Sequence, residues 1–153
     1  MKPPTGLQRG NHCVYELYYH FVFVVKYRRA VIGPEVEAEL ARISREITAR
    51  YDFEVLSLGA DRDHIHLVCS SVPTLAPYEI VRIYKSITAR RLFLAFPDLK
   101  KELWGGKFWT QGYYAASVGR NAGWNALVDY VENQGQHPEA VNLRFIFQNT
   151  EER

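Results

Sequence analysis

The sequence predicts an α+β, ferredoxin-like (RRM-like) fold with the order βαββαβ: a four-stranded antiparallel sheet, two helices on one face and an additional C-terminal helix. Three observations carry this expectation. Residues 14–28 are dense in Val, Phe and Tyr, as in a long strand buried on both faces. Two segments beginning near Pro34 and Pro77 carry apolar residues at spacings of three and four, the period of a helix. Between them, two short apolar runs flank the polar turn Asp61-Arg62-Asp63, as in a hairpin. A split βαβ unit repeated in this way closes into one antiparallel sheet with its helices on a single side.

In the first strand, Tyr15, Leu17, Tyr19, Phe21, Phe23 and Val25 alternate onto one apolar face, with His20, Val22, Val24, Lys26 and Arg28 on the other. Gly33-Pro34 opens the first helix, because proline suits the first helical turn. Val36, Leu40, Ile43 and Ile47 form its inward stripe. Residues 53–58 and 64–70 are the second and third strands. The second helix spans 78–96 and stops before Pro97, with Ile80, Ile83, Ile87 and Leu94 as its expected inner stripe. The fourth strand is expected at 112–118. A loop with Gly119 and Gly123 leads to a third helix over 121–134, which Gly135 ends. Residues 142–147 form an expected short strand.

The chain has 153 residues, 47% of them hydrophobic, which suits one domain with a substantial core. A mobile arm is expected over 1–12, the domain over 13–135 and a tail over 136–153. Without a long apolar run or a signal-like N-terminus, no membrane association is expected, and the protein is placed in the cytoplasm. Cys13 and Cys69 have no metal-ligand spacing and are read as free thiols. A formal net charge of +2 says little about partners, so the distribution of charge matters more.

Three sets of residues could carry chemistry. His64 and His66 are two apart on a strand and project to one side, while Ile65, Leu67 and Cys69 project to the other. Together the imidazoles could hold one metal ion, with Asp61 and Asp63 just ahead as supporting carboxylates. Two ligands do not complete a site, so a third must come from elsewhere. The alternative is a pair of half-buried histidines bonded to backbone. On the third helix, Tyr130 and Gln134 are four apart and lie along one side, where a phenol and an amide could reach one centre. With ten tyrosines in the chain, spacing alone does not distinguish this from a surface pair. Finally, Lys26, Arg28 and Arg29 close the first strand, Arg82, Lys85, Arg90 and Arg91 line the second helix, and Lys100, Lys101 and Lys107 follow. Tyr27, Tyr84, Trp104, Phe108 and Trp109 are interleaved with them. Cations and aromatics suit phosphates and unpaired bases. A solvated helix face over core aromatics fits the same pattern equally well.

Taken in order, these segments resemble the single-tyrosine HUH transposases of small bacterial and archaeal insertion sequences, which move single-stranded DNA. The likeness is carried by residues 19–29 (YHFVFVVKYRR), by Asp63-His64-Ile65-His66-Leu67 and by Asp129-Tyr130-Val131-Glu132-Asn133-Gln134. The stretch from Lys85 to Arg91, Phe96-Pro97 and Trp104-Gly105-Gly106 are similar in kind and order. The resemblance spans roughly residues 14–134.

It implies that His64, His66 and Gln134 bind a divalent metal, Mg2+ or Mn2+, and that Tyr130 is the nucleophile. Tyr130 would attack a phosphodiester, keep the 5′ phosphate and free a 3′ hydroxyl that later rejoins strands. The bond energy is stored, so no nucleotide cofactor is needed. Manganese suits imidazole ligands better than magnesium does. Lys26, Arg28, Arg29, Arg82, Lys85 and Arg90 would bind DNA. The expected partners are hairpin-bearing single-stranded DNA and a second copy of the chain, onto which the Tyr130 helix docks. A relative acting on dispersed palindromic repeats would share these motifs. Two other classes compete: a non-catalytic ferredoxin-like nucleic-acid-binding module, and a metal-dependent hydrolase that uses water and has no need of Tyr130.

Overall fold

The computed structural model describes residues 7–119. The expected third helix with Tyr130 and Gln134, the 142–147 strand and the 136–153 tail lie outside the described residues, as do residues 1–6 of the expected arm.

The main sheet is built from β3 (Tyr18–Val24), β4 (Glu54–Ala60), β5 (His64–Ser70) and β6 (Tyr114–Ser117), ordered β4-β5-β3-β6 and antiparallel at each junction. Helices α1 (Pro34–Arg50) and α2 (Pro77–Ala95) occupy the two crossovers. This is the predicted βαββαβ arrangement. A single turn, α3 (Leu99–Glu102), interrupts the connection after α2.

The predicted 14–28 strand is divided into three pieces. Its first residues form β2 (Cys13–Tyr15), which pairs with β1 (Gln8–Gly10) in a small separate hairpin. Residues 8–10 of the expected arm are therefore paired backbone. Beyond β3, residues Lys26–Arg28 form a tight 3₁₀ turn in which Tyr27 (φ 61°) and Arg28 (φ 50°) are left-handed. Such a conformation is costly for residues with a Cβ. Three backbone bonds hold the turn: Val25 N–H donates to the Asp63 carbonyl and Lys26 N–H to that of Phe108, both at 2.8 Å, and Arg28 N–H donates to the Val25 carbonyl at 2.8 Å.

The alternation in β3 sets the layers. Phe21, Phe23 and Val25 face the helices with Ile65, Leu67 and Cys69, and meet Val36, Leu40, Ile43 and Ile47 of α1. Each buried aliphatic or Phe side chain contributes roughly 1.5–3 kcal/mol of transfer free energy. The inner stripe of α2 differs from the apolar one expected. Its buried residues are Ile80, Val81, Tyr84, Thr88 and Leu92, while Ile83 and Ile87 are half-buried and Leu94 is 72% exposed. Hydrogen bonding makes this stripe possible. The Tyr84 hydroxyl meets Ser44 Oγ at 2.9 Å, Ser44 donates to the Leu40 carbonyl at 2.7 Å, and Trp109 Nε1 donates to Thr88 Oγ1 at 2.9 Å. Buried polar atoms with partners avoid the desolvation penalty that would otherwise exclude them.

Candidate active site

The face of the sheet away from α1 and α2 collects three histidines. The register pairs Val22 with His66 and Val24 with His64, and so places His20, His64 and His66 on one face beside Val22, Val24 and Tyr114. All three imidazoles are buried, His66 to 2% exposure. The His64 and His66 rings lie 5.2 Å apart, edge to face.

Each of the two predicted ligands has its Nδ1 engaged. His64 Nδ1 sits 2.7 Å from Asp63 Oδ1, and His66 Nδ1 sits 3.0 Å from His20 Nε2. An imidazole whose Nδ1 is occupied by a hydrogen bond has Nε2 as the nitrogen left to ligate a metal. Asp63 is fixed in turn by Arg28, whose Nε and Nη2 both lie 3.3 Å from Oδ2. The Asp63 carboxyl is held below its ordinary pKa, chiefly by the hydrogen bond with His64 and further by the charge of Arg28. Asp61 does not approach the imidazoles in this way. Its Oδ1 accepts the Arg62 backbone N–H at 2.8 Å and shapes the hairpin turn. Of the two supporting carboxylates expected, Asp63 touches an imidazole and Asp61 organises the loop.

Burial lowers the pKa of His20 to about 4 and that of His66 to about 3; the charges of His20 and His64 add to the effect on His66. Both are therefore neutral at physiological pH, the state a metal-ligating imidazole requires. The same shifts set an expected pH dependence for the metal-free protein. In the unfolded chain these histidines take up protons below about 6.5, whereas in the fold they resist until about 4 and 3. The unfolded state thus binds more protons in that window, and stability falls as pH drops from about 6.5 towards 4, by on the order of 1.4 kcal/mol per pH unit for each histidine. Thermal midpoints measured in chelator from pH 7 to 4.5 should fall steadily; a flat profile would contradict the buried, neutral assignment.

Among the described residues, no group of three His, Cys, Asp or Glu side chains is placed to hold a metal ion. The described donor set is two imidazoles with fixed Nδ1 atoms. It fits a divalent cation that draws a further ligand from elsewhere, and Gln134, the residue expected in that role, lies outside the described residues, as does Tyr130.

The predicted cations separate into three places. Arg28 is tied to Asp63, and Arg29 lies over the Trp104 ring at 5.6 Å. Trp104, 57% exposed, stacks on Tyr27 at 4.8 Å. Lys26, Arg82, Lys85 and Lys107 line a groove of about 700 Å³ between α2 and residues 106–113, with Tyr78 and Tyr113. Within it, Arg82 pairs with Glu79 at 2.8 Å. Arg90 borders a smaller depression with Phe93, Leu94 and Lys100.

Lys85 is not an open cation. Its ammonium donates to the carbonyls of Thr110, Gln111 and Gly112 at 2.8, 3.2 and 3.0 Å. Burial draws its pKa down to about 8, while the three acceptors favour the charged form. This clamp fixes the segment leading into β6, so within the groove Lys85 has a structural task of its own. Tyr84, Phe108 and Trp109 lie in the core and are closed to nucleobases; among the interleaved aromatics, Tyr27 and Trp104 are the pair at the surface. Cys13 and Cys69 are free thiols, the second buried, with its pKa pushed up accordingly.

His20 is the residue that sequence reasoning missed. Alternation puts it on the face of β3 opposite Phe21 and Phe23, but its place beside the histidine pair follows only from the antiparallel register with β5.

Comparison with known proteins agrees with this architecture. A family model described as "Transposase IS200 like" matches residues 13–134. The ISDra2 transposase TnpA of Deinococcus radiodurans is 37% identical over 131 residues, covering 86% of this chain and 93% of the relative. The transposase for insertion sequence element IS200 of Salmonella typhimurium is 28% identical over 123 residues, 80% of each. Among solved structures, a crystallised protein of Deinococcus radiodurans R1 described as a transposase superposes with a TM-score of 0.68 at 34% identity, covering 83% of this chain and 97% of that one. A REP-associated tyrosine transposase bound to a REP hairpin gives 0.54 at 12% identity, covering 80% and 70%, a likeness of fold alone. Matched by the family model over most of its length, and by curated relatives over four fifths or more of theirs, the chain belongs to the IS200-like transposases.

Proposed function

We propose that the protein is a metal-dependent single-stranded DNA transposase that cleaves and rejoins strands through a 5′-phosphotyrosine on Tyr130 and recognises hairpins at the ends of its DNA element. The observation that carries this reading is the pair His64 and His66 on one sheet face, with both Nδ1 atoms anchored by hydrogen bonds.

Each residue has a chemical task. His64 and His66, with Gln134 as third ligand, would hold Mg2+ or Mn2+, the imidazoles favouring Mn2+. When bound, the cation supplies charge withdrawal from the scissile phosphate. Tyr130 supplies the nucleophilic oxygen. Its phenolic oxygen gives up its proton to solvent and forms a bond to phosphorus, the 3′ oxygen of the preceding nucleotide leaves and takes up a proton, and the 5′ phosphate stays on the enzyme. A free phenol, with a pKa of about 10, is a weak nucleophile at neutral pH, so orientation of the phosphate matters. Attack by a 3′ hydroxyl on the phosphotyrosine then joins new strands and releases Tyr130. The Trp104–Tyr27 stack with Arg29 offers a surface for unpaired bases, and Lys26, Arg82 and Lys107 offer charge for the DNA backbone. The active unit is a homodimer in which the Tyr130 helix docks on the partner.

The test uses single-stranded DNA bearing a hairpin, taken from the flanks of the gene and labelled at either end, with Mn2+ or Mg2+ present. A denaturant-resistant protein–DNA adduct is expected to form with the fragment 3′ of the cut, releasing a fragment with a free 3′ hydroxyl. Chelator should abolish it. Metal-independent cleavage, or two free DNA products from the outset, would overturn the reading in favour of a hydrolase; binding with no cleavage of any flank would favour the non-catalytic module.

A further inference from the structure

We propose that His20 is a positioning residue for the candidate metal centre: by accepting the Nδ1–H of His66 at its own Nε2, it fixes the His66 tautomer and presents His66 Nε2 as the ligating nitrogen. The inference rests on the metal reading above and extends it to a residue outside the histidine-hydrophobe-histidine motif. The N–N distance is 3.0 Å, between two buried side chains on neighbouring strands. Register brings the two side chains within reach of each other. His66 pairs with Val22 and Val68 with His20, so His20 and His66 are diagonal neighbours on one face.

The rings lie 5.3 Å apart and 20° from parallel, and Tyr114 packs edge-on against the far partner, 5.7 Å from His20 at 69°. Neither ring is therefore free to rotate cheaply. Proton balance is simple: His66 carries its proton on Nδ1 and His20 carries its own on Nδ1, leaving His20 Nε2 as acceptor.

The two ligands are thus oriented by different means. His64 has an anionic acceptor in Asp63, and its Nδ1–H tautomer is enforced by charge. His66 has a neutral acceptor, in a place where a second carboxylate would be buried at considerable cost. Replacement of an orienting partner of a metal-ligating histidine weakens metal affinity by about 10- to 100-fold.

The experiment compares wild-type protein with His20→Gln, which keeps an acceptor near the Nε2 position, and His20→Phe, which keeps a ring and removes the acceptor. Two readouts are taken: Mn2+ affinity by electron paramagnetic resonance, and the His66 tautomer by long-range 1H–15N correlation in the metal-free state. The expected result is an Nδ1–H tautomer for His66 in wild type and in His20→Gln, with Mn2+ affinity within a few-fold of each other. In His20→Phe the tautomer should become mixed and affinity should fall about 10- to 100-fold, with the folded far-ultraviolet spectrum retained. An Nε2–H tautomer in wild type overturns the inference, as does unchanged affinity in a folded His20→Phe. A wild-type protein that holds no Mn2+ with or without hairpin DNA overturns the metal reading, and this inference with it, and is recognised before any variant is made. If His20→Phe does not fold, the comparison passes to His20→Gln against His20→Leu with the same expectations.

Discussion

His66→Ala is expected to lose strand cleavage by about 10³-fold while still binding hairpin DNA, since a catalytic cation contributes several kcal/mol of charge stabilisation and each 1.36 kcal/mol is tenfold in rate. The loss follows from the position of His66 in the sheet. It is a middle residue of β5, paired on one side with Val22 and on the other with Gly59. Gel shifts in chelator against cleavage assays in Mn2+ separate the two functions. Equal loss of binding and cleavage would place His66 in DNA recognition or in folding instead.

The second large effect belongs to Tyr130→Phe. Removing one oxygen atom should eliminate the covalent adduct and reduce strand transfer by at least about 10⁴-fold, because loss of an activated nucleophile takes most of an enzyme's rate enhancement with it. DNA affinity and Mn2+ affinity should both be preserved, since the substitution removes only the hydroxyl. A variant that cleaves at the wild-type rate would show that water, or another of the ten tyrosines, attacks the phosphate.

The layer order and the placement of the histidine pair were legible in the sequence because they depend on period-two alternation. Phe21, Phe23 and Val25 announced one face, His20, Val22 and Val24 the other, and the Ile65, Leu67, Cys69 series oriented β5 to match. Where burial depends on hydrogen bonding, hydropathy misled. Hydropathy places Leu94 in the core of α2, yet it points outward, while Tyr84 and Thr88 are inside because Ser44 and Trp109 satisfy them. Lys85 shows the same limit for charge. A lysine in a basic helix reads as a surface cation, and only the chain's return at residues 110–112 reveals the three carbonyls that take it in. The break at residues 26–28 was equally hidden, since Lys-Tyr-Arg has no glycine to mark a left-handed turn. His20 needed the register of two strands distant in sequence, information that lies in pairing and not in local pattern.

These points bear on function through one connected chain. The strained turn carries Arg28, Arg28 binds Asp63, and Asp63 holds His64. The stack of half-buried Tyr27 on exposed Trp104 springs from the same turn. The residues proposed to meet the DNA strand and those proposed to hold the metal are therefore set by the same few backbone bonds.

The most direct test is to map the adduct. Wild-type protein is incubated with Mn2+ and hairpin-bearing single-stranded DNA, digested with protease and nuclease, and the modified peptide sequenced by mass spectrometry. The account predicts a single phosphotyrosyl nucleotide on Tyr130, attached through the 5′ phosphate. A nucleotide on any other residue, or cleavage that leaves no peptide modified, would contradict it.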